Sequence, residues 1–287
     1  MSDYRGRFAP SPTGRLHFGS LVAAVASFAR ARTCSGAWLV RIEDLDPPRE
    51  RPGAAQAMIQ DLAHFGMHSD EPVLYQSGRD SAYREALNRL RDQGDLFPCG
   101  CARKDLKGHR VYPGTCEGGL PPGRSERSLR VRVRGTVSFT DAVQGPVTEV
   151  LADTTGAFIV RRADGLTAYQ LAVVVDDHFQ EITEVVRGSD LLDSTCRQIY
   201  LQTLLDLPRL DYVHLPIATG PGGEKLSKQT NAQPVDPQNP LPALVNAWRF
   251  LGQRAPTGTI ATVDQFWARA LPLWRLENIP RVREMQP

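Results

Sequence analysis

Hydrophobic and polar positions alternate in blocks along the chain. A short apolar stretch, Arg5 to Ala9, predicts a strand, and the loop after it is broken by Pro10, Pro12 and Gly14. Phe18 to Ala31 is apolar, alanine-rich and free of proline, which predicts a helix beginning directly after His17. The compact run Ala37 to Ile42 (AWLVRI) predicts a buried strand. Between Gly53 and Phe65, the residues Met58, Ile59, Leu62 and Phe65 recur at helical spacing, as do Tyr83, Leu87 and Leu90 between Asp80 and Leu90. Strand, helix, strand, helix is the order of an α/β fold with a parallel sheet.

From Phe97 to Asp164 that rhythm stops. The segment is rich in Cys, Gly, Pro and Arg and carries no long helical pattern. Within it, Leu129 to Arg134 alternates strictly and predicts a strand with one apolar and one basic face. Leu171 to Val175 (LAVVV) predicts a return to buried strand, with a further strand at Glu184 to Val186 and a helix at Thr195 to Leu205. Pro240 to Leu251 and Val263 to Leu271 predict final helices. The expected organisation is a sheet domain in two halves, residues 1–96 and 165–235. An inserted lobe, 97–164, separates them, and a short helical region, 236–287, follows.

Composition adds bounds. The 287 residues are 41% hydrophobic and 23% charged, the balance of a water-soluble globular chain. No apolar run approaches the roughly 20 residues that span a bilayer, and Met1 to Pro10 lacks an apolar secretory region, so no membrane partner is expected. Five cysteines, an odd number, predict reduced thiols and a cytoplasmic location. The net charge of +2 hides an asymmetry. Cys99 to Arg134 holds nine basic residues against three acidic ones, a local charge of +6, and could face phosphates or form a solvated surface.

Two segments suggest phosphate chemistry. A helix starting after His17 would offer unpaired N–H groups and a positive dipole end to an anion. Gly19 would allow close backbone approach, and His17 would add a donor. Far downstream, Pro221 to Gln229 (PGGEKLSKQ) sets Lys225 and Lys228 in a glycine-rich loop, two mobile point charges for one polyphosphate. Each has a plain alternative, a capped strand–helix connection and a solvated basic loop.

Together these residues resemble the two signature motifs of class I aminoacyl-tRNA synthetases, the HIGH-type motif at His17 to Ser20 and the KMSKS-type motif at Lys225 to Gln229. The longer pattern Arg7 to Gly19 (RFAPSPTGRLHFG) is similar to the glutamyl branch, as are Val173 to His178 (VVVDDH) and Val186 to Asp190 (VRGSD). The resemblance covers Arg5 to Gln229 and departs at Ser20 and Gln229. It implies a Rossmann-like catalytic domain with an inserted acceptor-type lobe. It also implies ATP binding at His17, Gly19, Ser20, Lys225 and Lys228, with His17, Lys225 and Lys228 catalytic.

A pocket for glutamate needs guanidinium groups for two carboxylates and an acid for one ammonium. Arg7 and Arg187 could read carboxylate, Glu43 could pair with the ammonium, and Tyr169 offers a hydroxyl and an apolar wall. Alone, Glu43 or either arginine would pass for a member of a surface ion pair. By resemblance the glutamate site comprises Arg7, Phe8, Ala9, Pro10, Ser11, Glu43, Tyr169 and Arg187.

Cys99, Cys101 and Cys116 suggest a structural zinc site that lacks a fourth ligand, unless they are inert thiols. Chemistry alone prefers His109 to Tyr112, because a phenol must lose its proton. The spacing resembles the site of the short glutamyl-synthetase paralogues, which implies Tyr112. Cys34 and Cys196 read as buried small hydrophobes.

The truncated paralogues of glutamyl-tRNA synthetase are the branch this chain resembles most. They imply ATP- and Mg²⁺-dependent activation of L-glutamate and its transfer to queuosine in the anticodon loop of tRNA(Asp), by an enzyme expected to be a monomer. A conventional synthetase charging a tRNA 3′ end would need an anticodon reader. From Gln229 onward 59 residues remain, against the roughly 100 or more of a typical domain. A non-catalytic tRNA-binding paralogue would be expected to lose His17, Lys225 and Lys228.

Overall fold

The computed structural model describes residues 3–220 and 234–287. In chain order the elements are β1 (Arg5–Phe8), α1 (Phe18–Thr33), β2 (Ala37–Ile42), α2 (Ala54–His64), β3 (Leu74–Tyr75) and α3 (Asp80–Asp92). Then come β4 (Leu96–Cys99), β5 (Ser128–Val131), β6 (Thr136–Asp141), β7 (Gly145–Val150), the single turn α4 (Leu151–Thr154) and β8 (Phe158–Arg161). The chain continues with α5 (Tyr169–Phe179), β9 (Glu184–Gly188), α6 (Leu192–Leu204), β10 (Asp211–Leu215), β11 (Ile217–Ala218), α7 (Pro240–Phe250), α8 (Val263–Ala270) and β12 (Glu284–Met285).

β1, β2 and β3 form one parallel ladder and β9 and β10 another. The ladders meet at Arg5, whose carbonyl accepts the Thr183 N–H at 2.9 Å and whose N–H donates to Thr183 Oγ1 at 3.0 Å. The spatial order is therefore β3-β2-β1-β9-β10, and it reverses direction between β1 and β9. In open parallel sheets ligands bind at such a switch point, beyond the carboxyl ends of the strands.

α1 lies between this sheet and the C-terminal helices, so nine of its residues are buried. Phe28 meets Trp38 edge-on at 5.2 Å, while Trp248, Phe266, Trp267 and Trp274 pack against one another on its far side. Trp267 Nε1 donates to the Phe65 carbonyl at 2.8 Å, tying α8 to the end of α2. The final helices thus complete the core around α1.

A second core joins the antiparallel sheet β4-β5-β8 and the hairpin β6–β7 to α3, α5 and α6. Two expectations are corrected here. LAVVV lies in helix α5, whose residues are buried almost all round because α3 and α6 pack against it. A helix buried on every side reads as an unbroken apolar run and loses its period. The Leu129–Arg134 alternation shrinks to the four residues of β5, all buried. Its Arg130 donates to Cys99 Sγ and the Ala157 carbonyl and stacks on Tyr112 at 4.0 Å, so this arginine is interior, while Arg132 is half-buried and Arg134 exposed. Among the described residues no helix is long and apolar enough to cross a membrane.

Candidate active site

At the switch point a cleft of about 530 Å³ opens over the ends of β1, β2 and β9. Arg7, Phe8, Ala9, Pro10 and Ser11 line it from β1 and the loop beyond, joined by His17, Gly19 and Ser20 from the start of α1. Glu43, Tyr169 and Arg187 close the other walls. Every described residue expected for glutamate or ATP therefore borders one cavity. Lys225 and Lys228 lie outside the described residues. On either side of them, Ala218 lines the cleft and Pro234 bridges to His17.

His17 is the N-cap of α1. Its Nδ1 accepts the Ser20 N–H at 3.3 Å, and its own N–H donates to Ser20 Oγ at 2.8 Å, a reciprocal capping box. Ser20, the departure from the HIGH pattern, thus fixes the ring of His17 at the positive end of the helix.

Arg7 is 3% exposed and its charge is answered locally. Its Nε donates to Asp177 Oδ1 at 3.0 Å and its Nη2 to Oδ2 at 3.5 Å. Arg41, fully buried in β2, reaches the same Asp177 at 2.8 Å and Glu43 at 3.3 Å. Two arginines and two carboxylates thus form a neutral buried cluster. Burial works to raise the Asp177 pKa, but Arg7 and Arg41 outweigh it and hold the group below the usual aspartate range. Glu43 goes the other way, raised by burial that Arg41 and Arg7 only partly offset.

Arg187, 5% exposed, has neutral partners. Its Nε donates to His214 Nε2 at 3.0 Å, its Nη1 to Tyr169 Oη at 3.3 Å, and its Nη2 to Thr195 Oγ1 at 2.9 Å and Gln198 Oε1 at 2.8 Å. No carboxylate touches it among these contacts. A buried guanidinium held by neutral acceptors keeps its charge for an anion entering the cleft.

At and beyond the end of β4, Cys99, Cys101 and Cys116 place their sulfurs within 4.8 Å of one another. Cys101 and Cys116 sulfurs are 3.7 Å apart, and Tyr112 Oη lies 3.6 Å from Cys99 Sγ. Burial disfavours the Cys99 thiolate, yet hydrogen bonds from the Cys101 backbone, Tyr112 and Arg130 bring its pKa down to about 7. Burial and the other two thiols push Cys101 up to about 11. His109 is exposed and borders a second cavity of about 300 Å³. Of the basic run, Arg103, Lys104, Lys107, Arg110, Arg124, Arg127 and Arg134 are exposed, although Arg124 pairs with Asp105 at 2.8 Å. Arg132 is half-buried over the Phe97 ring.

Sequence reasoning missed the groups behind the pocket, namely Arg41, Asp177, His214 and Asp141. For Arg41 and Asp177 a signal existed, a charge set inside an apolar run. His214 too lies inside an apolar run, Tyr212 to Ile217, whereas Asp141 carries no such mark.

Residues 3–117 and 123–252 match the family of tRNA synthetases class I (E and Q), catalytic domain. The chain is 53% identical over 291 residues to the glutamyl-Q tRNA(Asp) synthetase of Dechloromonas aromatica (strain RCB), covering 98% of this chain and 97% of that protein. It is 51% identical over 286 residues to the protein of the same name in Aromatoleum aromaticum, covering 97% and 91%. Among solved structures it resembles a glutamate tRNA ligase from Elizabethkingia meningosepticum in complex with its amino acid (TM-score 0.80, 21% identity, 98% of this chain and 66% of that one). A glutamate-tRNA synthetase from Elizabethkingia anophelis is similar (TM-score 0.81, 22% identity, 99% and 68%). At these identities the two structures speak to the fold, and the chain spans about two thirds of their length.

Proposed function

The chain belongs to the class I tRNA synthetase family of glutamate and glutamine catalytic domains, and from that membership we propose that it activates L-glutamate with ATP and transfers it to queuosine in tRNA(Asp). The observation that carries this reading is Arg187, a buried cation with no carboxylate partner among the described residues, in the same cleft as the His17-capped helix start. Near-full-length relatives at about half identity bear the matching name.

In the first step an α-carboxylate oxygen of glutamate attacks the α-phosphate of ATP. The bond to the β-phosphate breaks and pyrophosphate departs. Mg²⁺, when bound with ATP, neutralises charge on the phosphates. The chain's own residues hold the reactants. Arg187 and Tyr169 take the side-chain carboxylate and Glu43 the ammonium, while Arg7, its charge answered by Asp177, lines the site as part of its framework. Phe8, Ala9, Pro10 and Ser11 shape the wall between them. His17, Gly19, Ser20 and the N–H groups at the start of α1 face the phosphates, and Lys225 and Lys228 would add positive charge. In the second step a queuosine hydroxyl attacks the activated carbonyl and AMP leaves with the bonding pair. The protein's share is mostly positioning and charge stabilisation.

We read residues 97–164 as a lobe inserted between catalytic halves 1–96 and 165–235, with 236–287 the C-terminal helical region. Cys99, Cys101, Cys116 and Tyr112 are its zinc ligands in this reading. Tetrahedral zinc with bonds of about 2.3 Å to sulfur needs sulfurs roughly 3.8 Å apart, close to the 3.7 Å between Cys101 and Cys116. Without a metal, burial and the adjacent thiols raise the Tyr112 pKa, and a dication would reverse that balance. Tyr112 is favoured over His109 by its place beside the thiols. The ion would brace the lobe and take no part in the chemistry. The exposed basic side chains would meet the tRNA backbone, an attraction weakened by salt. Five cysteines without a disulfide and a tRNA substrate fit the cytoplasm, and we expect a monomer.

The test is ATP-dependent attachment of labelled glutamate to tRNA(Asp) with and without queuosine. Attachment only to the modified tRNA is expected. Equal charging of both, or charging of tRNA(Glu), would overturn the reading.

A further inference from the structure

His214 on β10 is fully buried and stands behind the cleft wall, touching Arg187 from the side away from the cavity. Its Nε2 is 3.0 Å from Arg187 Nε, and its Nδ1 is 2.6 Å from Asp141 Oδ2. A guanidinium only donates, so Nε2 must present a lone pair and the ring proton must sit on Nδ1, directed to Asp141. Asp141 is itself immobilised. Its Oδ1 accepts the N–H groups of Val143, Gln144 and His214 at 3.0, 2.8 and 3.2 Å. The Tyr212 ring stacks on the imidazole at 6.2 Å with 13° between planes, and Thr195 Oγ1 lies 3.2 Å from Nε2.

We propose that Asp141 and His214 are positioning residues for glutamate selection, a carboxylate-locked neutral imidazole that aims Arg187 at the substrate's side-chain carboxylate without cancelling its charge. This deepens the function proposed above and rests on it. The choice of a neutral acceptor matters. A carboxylate in the place of His214 would form a closed ion pair, as Asp177 does with Arg7, and leave little attraction for an incoming anion. Burial and the Arg187 charge both lower the His214 pKa, against Asp141 and the more distant Asp190, which raise it. Asp141 belongs to the β6–β7 hairpin, so a residue outside the parallel sheet fixes how the sheet reads its amino acid.

Asp141→Asn tests the lock. Its carbonyl is retained by the three backbone N–H groups, so its amide N–H must face Nδ1. That moves the ring proton to Nε2 and sets a donor against Arg187. In transfer to queuosine-containing tRNA(Asp), we expect the KM for glutamate to rise about 30- to 100-fold, the range for a mispaired hydrogen bond to a buried charge. The KM for ATP should stay unchanged and kcat within about threefold. His214→Gln, whose carbonyl can accept from Arg187, should recover most of the affinity, whereas His214→Phe should resemble Asp141→Asn. Nitrogen-15 NMR of labelled histidine should show the Nδ1–H tautomer in the wild type and Nε2–H in Asp141→Asn.

An unchanged glutamate KM in Asp141→Asn overturns the proposal. So do equal losses in the Gln and Phe variants, which would mark a structural role alone. If the wild type takes no glutamate, the functional reading itself fails and this proposal falls with it.

Discussion

Arg7 and Arg187 enter one cleft from neighbouring strands, and their surroundings are opposite. Arg7 sits in a saturated cluster, where Asp177 and Glu43 match the charges of Arg7 and Arg41. Arg187 is ringed by an imidazole, a phenol, a threonine and a glutamine. The difference separates two tasks that arginine performs. A guanidinium paired to a buried carboxylate is part of the framework, and losing either partner strands a charge in low dielectric. One held by neutral groups is stable only because it donates fully, and it keeps its field for a ligand.

The sharpest way to break this contrast is to truncate each side. Arg187→Ala should lower kcat/KM for glutamate about 10³-fold, because a site built around a charged hydrogen bond fails without it. Its unfolding free energy should fall too, because buried acceptors lose their donor, but by less than in the Arg7 variant. Arg7→Ala should reduce activity too, but it should also cost about 3–5 kcal/mol of unfolding free energy, the toll of breaking a buried pair. Equal stability losses in the two variants would erase the distinction.

Asp177→Asn should lose about 3 kcal/mol at pH 7, measured by urea unfolding, for the same reason. The pH dependence has a defined sign. Asp177 is held below its ordinary value of 3.8, so its contribution is fully present above that value. It fades as pH falls through the lower folded-state pKa. The gap between wild type and variant should therefore close only below pH 3.8.

The lobe we propose at residues 97–164 offers a third comparison, since the reading above gives it a metal as a brace. Cys116→Ser should reduce bound zinc from roughly one ion per chain to none and lower the Tm by several degrees. A metal assay together with a melting curve checks both. The smallest effect concerns Glu43. Burial raises its pKa above 4.5, so on acidification it takes a proton before an ordinary glutamate does and loses its hold on an ammonium. The glutamate KM should rise a few-fold as pH is lowered towards that range, and Glu43→Gln should flatten the rise.

Much of this was legible in the chain. The boundaries of β1, α1, β2, α2 and α3 follow from apolar periodicity, and the motif residues around Arg7, His17 and Arg187 do converge on one cleft. LAVVV was misread because a helix packed on all sides has no polar stripe to betray its period. The alternation at Leu129 predicts one apolar and one basic face, whereas Arg130 is absorbed by Cys99, Ala157 and Tyr112. The supporting pair was invisible for another reason. Asp141 and His214 are 73 residues apart and meet only through tertiary packing, so no local pattern marks their pairing.

The walls of the cleft are also held by a late stretch of chain. β12 pairs with β11, the Ile217 N–H donates to the Arg283 carbonyl and Thr219 to Met285, and Ser189 Oγ donates to Arg283 from beside β9. These contacts close loops of some 65 to 95 residues, and loop-closure entropy must be met before they yield anything. Folding should then proceed from the local helices and leave the substrate cleft among the last regions to set, as expected of contacts with high sequence separation. During folding, then, the capacity to bind ATP and glutamate would arise abruptly, at the moment residues 282–285 dock.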